Sequence, residues 1–219
     1  WDRAFQLAEQ AQNKLPFKVL SWMYLGDPRS GASFTVITAF LEANPTWPLA
    51  DTLRRNAEDA LAAIIGKTAA RGGTVVIPSF AVGRTQSLLV HLYRLKQARR
   101  IPDLPVFLDS PMAIEATHLY EQHRELYDEE MLERSAKGEF RRNMAYLRHS
   151  VTADDSKALN DLPGPCLIMA GAGMCNAGRI LHHLRRNLPL EGAVVMIVGF
   201  QSPGTVGRLL VDGANGLRV

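Results

Sequence analysis

With 219 residues, 47% of them hydrophobic, the chain can bury one large core, or one core and part of another. The formal charge is only +3, yet the sequence pI is about 9.0 and arginines pair at Arg99-Arg100, Arg141-Arg142 and Arg185-Arg186, which permits a nucleic acid partner without demanding one. No apolar run is long enough to span a membrane, Trp1-Asp2-Arg3 begins no signal peptide, and two cysteines without metal spacing suit a reduced, cytoplasmic protein. The absence of an initiating methionine suggests a piece of something longer.

Residues 2–14 have helical composition, and Pro16 is expected to end them. Phe17–Leu25 and Phe34–Leu41 read as strands around a turn at Gly26-Asp27-Pro28. Asn44-Pro45-Thr46-Trp47-Pro48 reads as a loop between domains, giving expected domains at 1–50 and 51–219. Asp51 or Thr52 can cap a helix to about Ala70, with Leu53, Ala57, Leu61, Ile64 and Ile65 as its buried stripe. A regular alternation follows: strand Thr74–Phe80, helix Thr85–Gln97, strand Pro105–Leu108, helix Ala113–His123. Residues 125–161 are charged and expected to be helical in pieces.

Cys166–Ala170 is a short apolar run without polar alternation, the pattern of a strand buried on both faces. A glycine-rich turn follows, then a helix with Ile180, Leu181 and Leu184 on one side. Ala193–Phe200 reads as another buried strand. Strands alternating with helices at this spacing imply an α/β fold, a mostly parallel sheet with helices on both faces. The four strands should lie side by side.

Open parallel sheets bind ligands at the carboxyl ends of their strands. Here those ends carry small or hydroxyl residues, glycines or prolines, and arginines. Gly171, Gly173 and Gly178 let backbone N–H groups approach an anion, and Arg179 near the helix start can grip phosphate through two N–H groups. The alternative is that the glycines only permit the turn. For Asp109 the alternative is holding its own turn, and for Arg84 and Arg179 it is pairing with a buried carboxylate such as Asp109. Ser79 has no His-Asp pattern or nucleophile elbow to make it reactive. His118 and His123 lie about 140° apart on a helix, and of the adjacent His182 and His183 one should face outward while the other packs. The six histidines are therefore expected to form no metal site.

Four stretches carry a family resemblance: Gly72-Gly73-Thr-Val-Val-Ile-Pro-Ser-Phe-Ala-Val-Gly-Arg-Thr-Gln86, Phe107-Leu-Asp-Ser-Pro-Met-Ala113, Gly171-Ala-Gly-Met-Cys-Asn-Ala-Gly-Arg179 and Gly199-Phe-Gln-Ser-Pro-Gly-Thr-Val-Gly-Arg208. In sequence, order and spacing they resemble the β-CASP nucleases of the metallo-β-lactamase superfamily, the group of ribonuclease J and the mRNA 3′-end cleavage endonuclease. The resemblance implies a clamp domain over residues 51–219 that closes on single-stranded RNA or DNA, with residues 1–50 as a partial or divergent remnant of the metallo-β-lactamase core. It implies a substrate-binding set of Ser79, Arg84, Asp109, Ser110, Gly171, Gly173, Met174, Arg179, Gly204 and Thr205.

The family's two-zinc centre begins with His-x-His-x-Asp-His, which this sequence lacks, and its later histidines belong beyond Val219. An acidic catalytic role maps onto Glu42, thirty residues before Gly72, although Ala43-Asn44-Pro45-Thr46 replaces the family's Ser-Thr-Tyr-Gly. Asp27 resembles the metal-bridging Gly-Asp turn but stands too close to Glu42 to be assigned. The expected function is the substrate-clamping part of a metal-dependent RNA phosphodiesterase, with two zinc ions in the complete enzyme and none held by this chain alone. The alternative is a non-catalytic single-strand-binding module or an inactive gene product. A nucleotide-binding α/β domain is weaker, since Gly-x-Gly-x-x-Gly and a Walker loop are absent. A homo-oligomer is compatible with all of these.

Overall fold

The computed structural model describes residues 1–123, 125, 127, 147–214, 216 and 217. They form two compact units, Trp1–Ala63 and Ile64–Val219.

The first unit contains α1 (Asp2–Gln10), α2 (Leu15–Gly26), α3 (Phe34–Ala43) and the start of α4 (Ala50–Ala70). The two strands expected at 17–25 and 34–41 are therefore corrected to helices. Pro16 does not end the preceding helix, which already stops at Gln10; it occupies the first turn of α2, where its missing N–H needs no partner. In α3 the Ser33 side chain accepts from Val36 N at 3.4 Å, an N-cap that overrides the strand preference of Phe34, Thr35, Val36 and Ile37. Phe34, Ile37 and Thr38 are buried on one face, a helical spacing that aromatic and β-branched composition obscures. Edge-to-face rings fasten the unit: Phe5 on Phe17 at 5.4 Å and on Tyr24 at 5.8 Å, and Trp47 on Trp22 at 6.1 Å and Phe40 at 5.7 Å. Along α4, Leu53, Ala57, Leu61 and Ile65 of the predicted stripe are buried, while Ile64, also expected in it, is half-buried.

The second unit is built on β1 (Thr74–Pro78), α5 (Arg84–Gln97), β2 (Val106–Asp109), α6 (Pro111–Gln122), β3 (Leu147–His149), α7 (Ala153–Ala158), β4 (Cys166–Ala170), α8 (Ile180–Asn187), β5 (Val194–Val195) and α9 (Val206–Val211). The sheet order is β3-β2-β4-β1-β5, and every pairing is parallel. The α/β fold and the side-by-side strands are as the sequence predicts. Burial of all five residues of β4 follows from its central place. Cys166, Ile168 and Ala170 pack with Ile180 and Leu184 of α8, so Leu167 and Met169 point to the opposite face, where a strand's alternate residues must go. Leu88, Leu89, Leu92 and Leu95 of α5 are buried.

Two details differ from expectation. The apolar run 193–200 pairs over Val194–Val195, and Met196 N adds a bond to Val76 O at 2.9 Å; Met196 and Val198 are buried without further ladder partners. The segment 125–161 contains the edge strand β3, hidden in sequence because three residues carry no usable period. Its expected helical pieces include α7; the stretch 128–146, with Arg141 and Arg142, lies outside the described residues. Among the described residues no helix is long and apolar enough to cross a membrane.

Candidate nucleic-acid interface

The loops leaving β1, β2, β4 and β5 share the carboxyl edge of the sheet, because all strands run the same way. After β1, Thr85 Oγ1 lies 2.7 Å from Phe80 O and 2.9 Å from Ser79 Oγ, so buried Ser79 braces the turn from inside. Gln86 Oε1 accepts from Gly83 N at 2.7 Å, leaving half-buried Arg84 to open α5. After β2, Ser110 caps α6 by accepting from Ala113 N at 3.3 Å, and Met112 projects outward. After β5, Thr205 caps α9 by accepting from Arg208 N at 3.2 Å, beside exposed Gly204.

The β4–α8 turn is tied together by backbone bonds of its own. Ile180 N donates to Gly171 O, Leu181 N to Gly178 O, Cys175 N to Ala172 O and Ala172 N to Ala177 O. Met174 O accepts from Gly207 N at 3.1 Å, tying the turn to α9. Gly178 has a φ of +80°, and a Cβ there would lie 2.8 Å from Gly171 O, so only glycine closes this turn without strain. Four N–H groups of the turn, those of Ala172, Cys175, Ile180 and Leu181, are thus engaged within it, and Gly171 and Gly178 take part through their carbonyls.

Arg179 is engaged as well. Nη1 donates to Asp109 Oδ1 and to Ser150 O, and Nη2 to Val151 O, each at 2.8 Å. Carboxylate pairing, the alternative weighed for this arginine, is the arrangement present. It joins β2, the loop after β3 and the start of α8.

Behind that pair, Asp109 is fully buried within a closed ring of side chains. His183 Nε2 lies 2.6 Å from Asp109 Oδ2, and His183 Nδ1 lies 2.9 Å from Asn160 Oδ1. Asn160 Nδ2 reaches His182 Nδ1 at 2.8 Å, His182 Nε2 reaches Ser156 Oγ at 2.9 Å, and Ser156 Oγ donates to Asp109 Oδ2 at 2.5 Å. Five hydrogen bonds need five protons. Ionised Asp109 brings none; Ser156 and each neutral histidine bring one; Asn160 offers one N–H side and one oxygen side, whichever way its amide is turned. Four are available, so closing all five bonds at once takes one proton more than ionised Asp109 and neutral histidines bring. Burial pushes His182 below its ordinary value, with His183, Arg179 and Arg185 adding to the effect against Asp109. With Asn160 Oδ1 facing His183, each ring nitrogen of His183 has an oxygen opposite it, Asn160 Oδ1 and Asp109 Oδ2. Burial alone would raise the Asp109 carboxyl, but hydrogen bonds from His183, Ser156 and Arg179 outweigh it and hold the carboxyl below its ordinary value.

The expectation that adjacent histidines diverge, one outward and one packed, is thereby corrected: both rings join one network, their centroids 4.1 Å apart. Asp109, His182 and His183 bring ligand-type atoms within 4.8 Å of one another. They do not fit zinc as arranged. The Ser156 hydroxyl sits between Asp109 and His182, every ligand atom already has a hydrogen-bond partner, and the Arg179 cation contacts the same carboxylate. Glu42 lies exposed on α3 in the first unit, and Asp27 pairs with Arg29 at 3.1 Å.

Neither cysteine is placed for chemistry. Burial pushes the Cys175 thiol up to about 11 and raises Cys166 too, although a contact with Thr74 Oγ1 partly opposes the latter. Both thiols should therefore resist a disulfide reagent in the folded protein at mildly alkaline pH and react fully in denaturant. Rapid labelling of either in the native state would contradict this placement.

The family model described as the Beta-Casp domain matches residues 85–210, which takes in α5, β2 to β5 and the ring. The chain belongs to the β-CASP family. These are nucleases of the metallo-β-lactamase superfamily, as the resemblance implies. The chain is 36% identical over 175 residues to ribonuclease TTHA0252 of Thermus thermophilus, covering 80% of this chain and 39% of that protein. It is 31% identical to the transcription termination factor FttA of Methanosarcina mazei, over 73% of this chain and 25% of the factor. It is 28% identical to an RNase J-like protein of Methanocaldococcus jannaschii, over 88% of this chain and 46% of that protein. The chain thus spans less than half the length of these relatives.

Proposed function

We propose that this β-CASP chain is the substrate-clamping part of an RNA phosphodiesterase, gripping a single strand along the carboxyl edge of its sheet. The observation that carries the reading is the Beta-Casp match over residues 85–210, which takes in β2 to β5 and the edge loops that follow them. Relatives named as a ribonuclease and an RNase J-like protein support RNA as the substrate class. The edge also has the chemistry such a ligand needs, with half-buried Arg84 and exposed Phe80 and Phe200 in the loops that follow β1 and β5. Zinc belongs to the family chemistry, but the described residues offer no fitting site, so no hydrolytic step is assigned to them.

Binding is tested by fluorescence anisotropy with a labelled oligouridine and a duplex of equal length across a salt series. The single strand should bind more tightly, and its log affinity should fall linearly with log salt, by about 0.7 for each phosphate contact. Tighter duplex binding, or no binding at low salt, would reject the reading. With zinc added, the isolated chain should bind RNA without cleaving it; cleavage that survives active-site-free control preparations would restore a catalytic centre to this chain.

A further inference from the structure

We propose that the carboxyl edge carries a base-stacking strip, with Phe80 and Phe200 as its platforms, Arg84 supplying positive charge beside them, and single-stranded RNA as the ligand. The inference rests on the clamp reading and adds how the strand is held. Phe80 is 43% exposed and Phe200 70%, in the loops that follow β1 and β5. Those strands are hydrogen-bonded neighbours, and neighbouring strands lie about 4.8 Å apart. Exposed Val82, Met112 and Val151 continue the pattern, so β1, β2, β3 and β5 are all followed by an exposed apolar side chain on the same edge. Five strands make that edge roughly 19 Å long, enough for several nucleotides.

Phe80 is also held in place. A Cβ on buried Gly173 would lie 2.8 Å from Phe80 Cδ2 and 3.0 Å from Phe80 N, so the absent side chain lets the ring lie against the β4–α8 turn. One side of the ring is backed by protein while much of the rest faces solvent. Such a ring can accept a base with little further ordering. Arg84 Nε lies 3.9 Å from the Cβ position of Gly199, the residue before Phe200, so the loop after β1 brings a cation to the backbone of the loop after β5. Aromatic faces beside an arginine are what sequence-tolerant single-strand binding requires, because every base has a π face and every linkage a negative charge. Charge complementarity on a chain of pI about 9.0 favours the nucleic acid over an apolar protein segment.

The test compares oligouridine with an abasic ribose-phosphate strand of equal length, using wild type, Phe80→Ala, Phe200→Ala and the two corresponding leucine variants. Each alanine variant should weaken oligouridine binding by about 5- to 100-fold, the span of one stacked base. Leucine should rescue little, and abasic-strand affinity should not change. Equal losses on both strands, or leucine variants that bind like wild type, would overturn the stacking strip. Wild-type-like binding by all four variants would remove the strip while leaving the clamp reading intact. Failure of wild type to bind either strand would remove both.

Discussion

Replacing Asp109 by alanine should destabilise the second unit by about 4 kcal/mol, the usual consequence of breaking a buried ion pair. The carboxylate is fully buried and is the acceptor for Arg179, His183 and Ser156 at once. Removing it leaves the Arg179 cation, the His183 ring and the Ser156 hydroxyl without their shared acceptor. Asp109→Asn should cost less. An asparagine amide can donate to both His183 Nε2 and Ser156 Oγ, so the ring closes with neutral histidines, and only the charge opposite Arg179 is lost. The distinguishing measurement is nitrogen-15 NMR of the His183 ring, with both nitrogens protonated in wild type and one in Asp109→Asn. A wild-type ring with a bare nitrogen, or equal destabilisation by the two variants, would dispose of the proton count.

The pH dependence has a definite sign. The Asp109 carboxyl is held below its ordinary value of 3.8, so folding favours its ionised form. Its stabilising contribution is fully present above that value and disappears as pH falls through the depressed folded-state value. Thermal melts followed into acid should therefore fall more steeply for wild type than for Asp109→Asn.

The second large effect belongs to Arg179. Arg179→Ala should cost about 3 kcal/mol, because it strands a buried carboxylate and two carbonyls that the guanidinium now satisfies. For a domain of this size that corresponds to a Tm lowered by roughly 6–12 °C. Arg179→Lys should recover part of the loss, since an ammonium keeps the charge but cannot reach three acceptors from a planar fork. Single-stranded RNA affinity of the folded variants should change little. A variant that melts like wild type but loses RNA affinity for every sequence would return Arg179 to the phosphate-gripping role that its position at a helix start suggests.

Much of the second unit was readable because its physics is local. A strand buried on both faces reads as a continuous apolar run, as Cys166–Ala170 does, and a positive φ where a Cβ would strike backbone calls for a glycine, as at Gly178. The first unit misled because Phe34, Thr35, Val36 and Ile37 have strand composition, while the decisive feature is one hydrogen bond from Val36 to Ser33. The ring was out of reach for a different reason. Asp109 and His183 stand 74 positions apart, and Ser156 stands 47 from Asp109, so no local pattern joins them. Their only sequence trace is two histidines in succession after Gly178-Arg179, which helical geometry would ordinarily send apart.

The two margins of the sheet bear on how the protein behaves at high concentration. β3 and β5 are the outermost strands, and they are three and two residues long. A stray extended chain approaching either side would find two or three rungs to join, and on the β3 side it would meet exposed Arg148 and His149. Templated growth into fibres needs a long, flat, uncharged border, and among the described residues the sheet ends in strands too short to offer one.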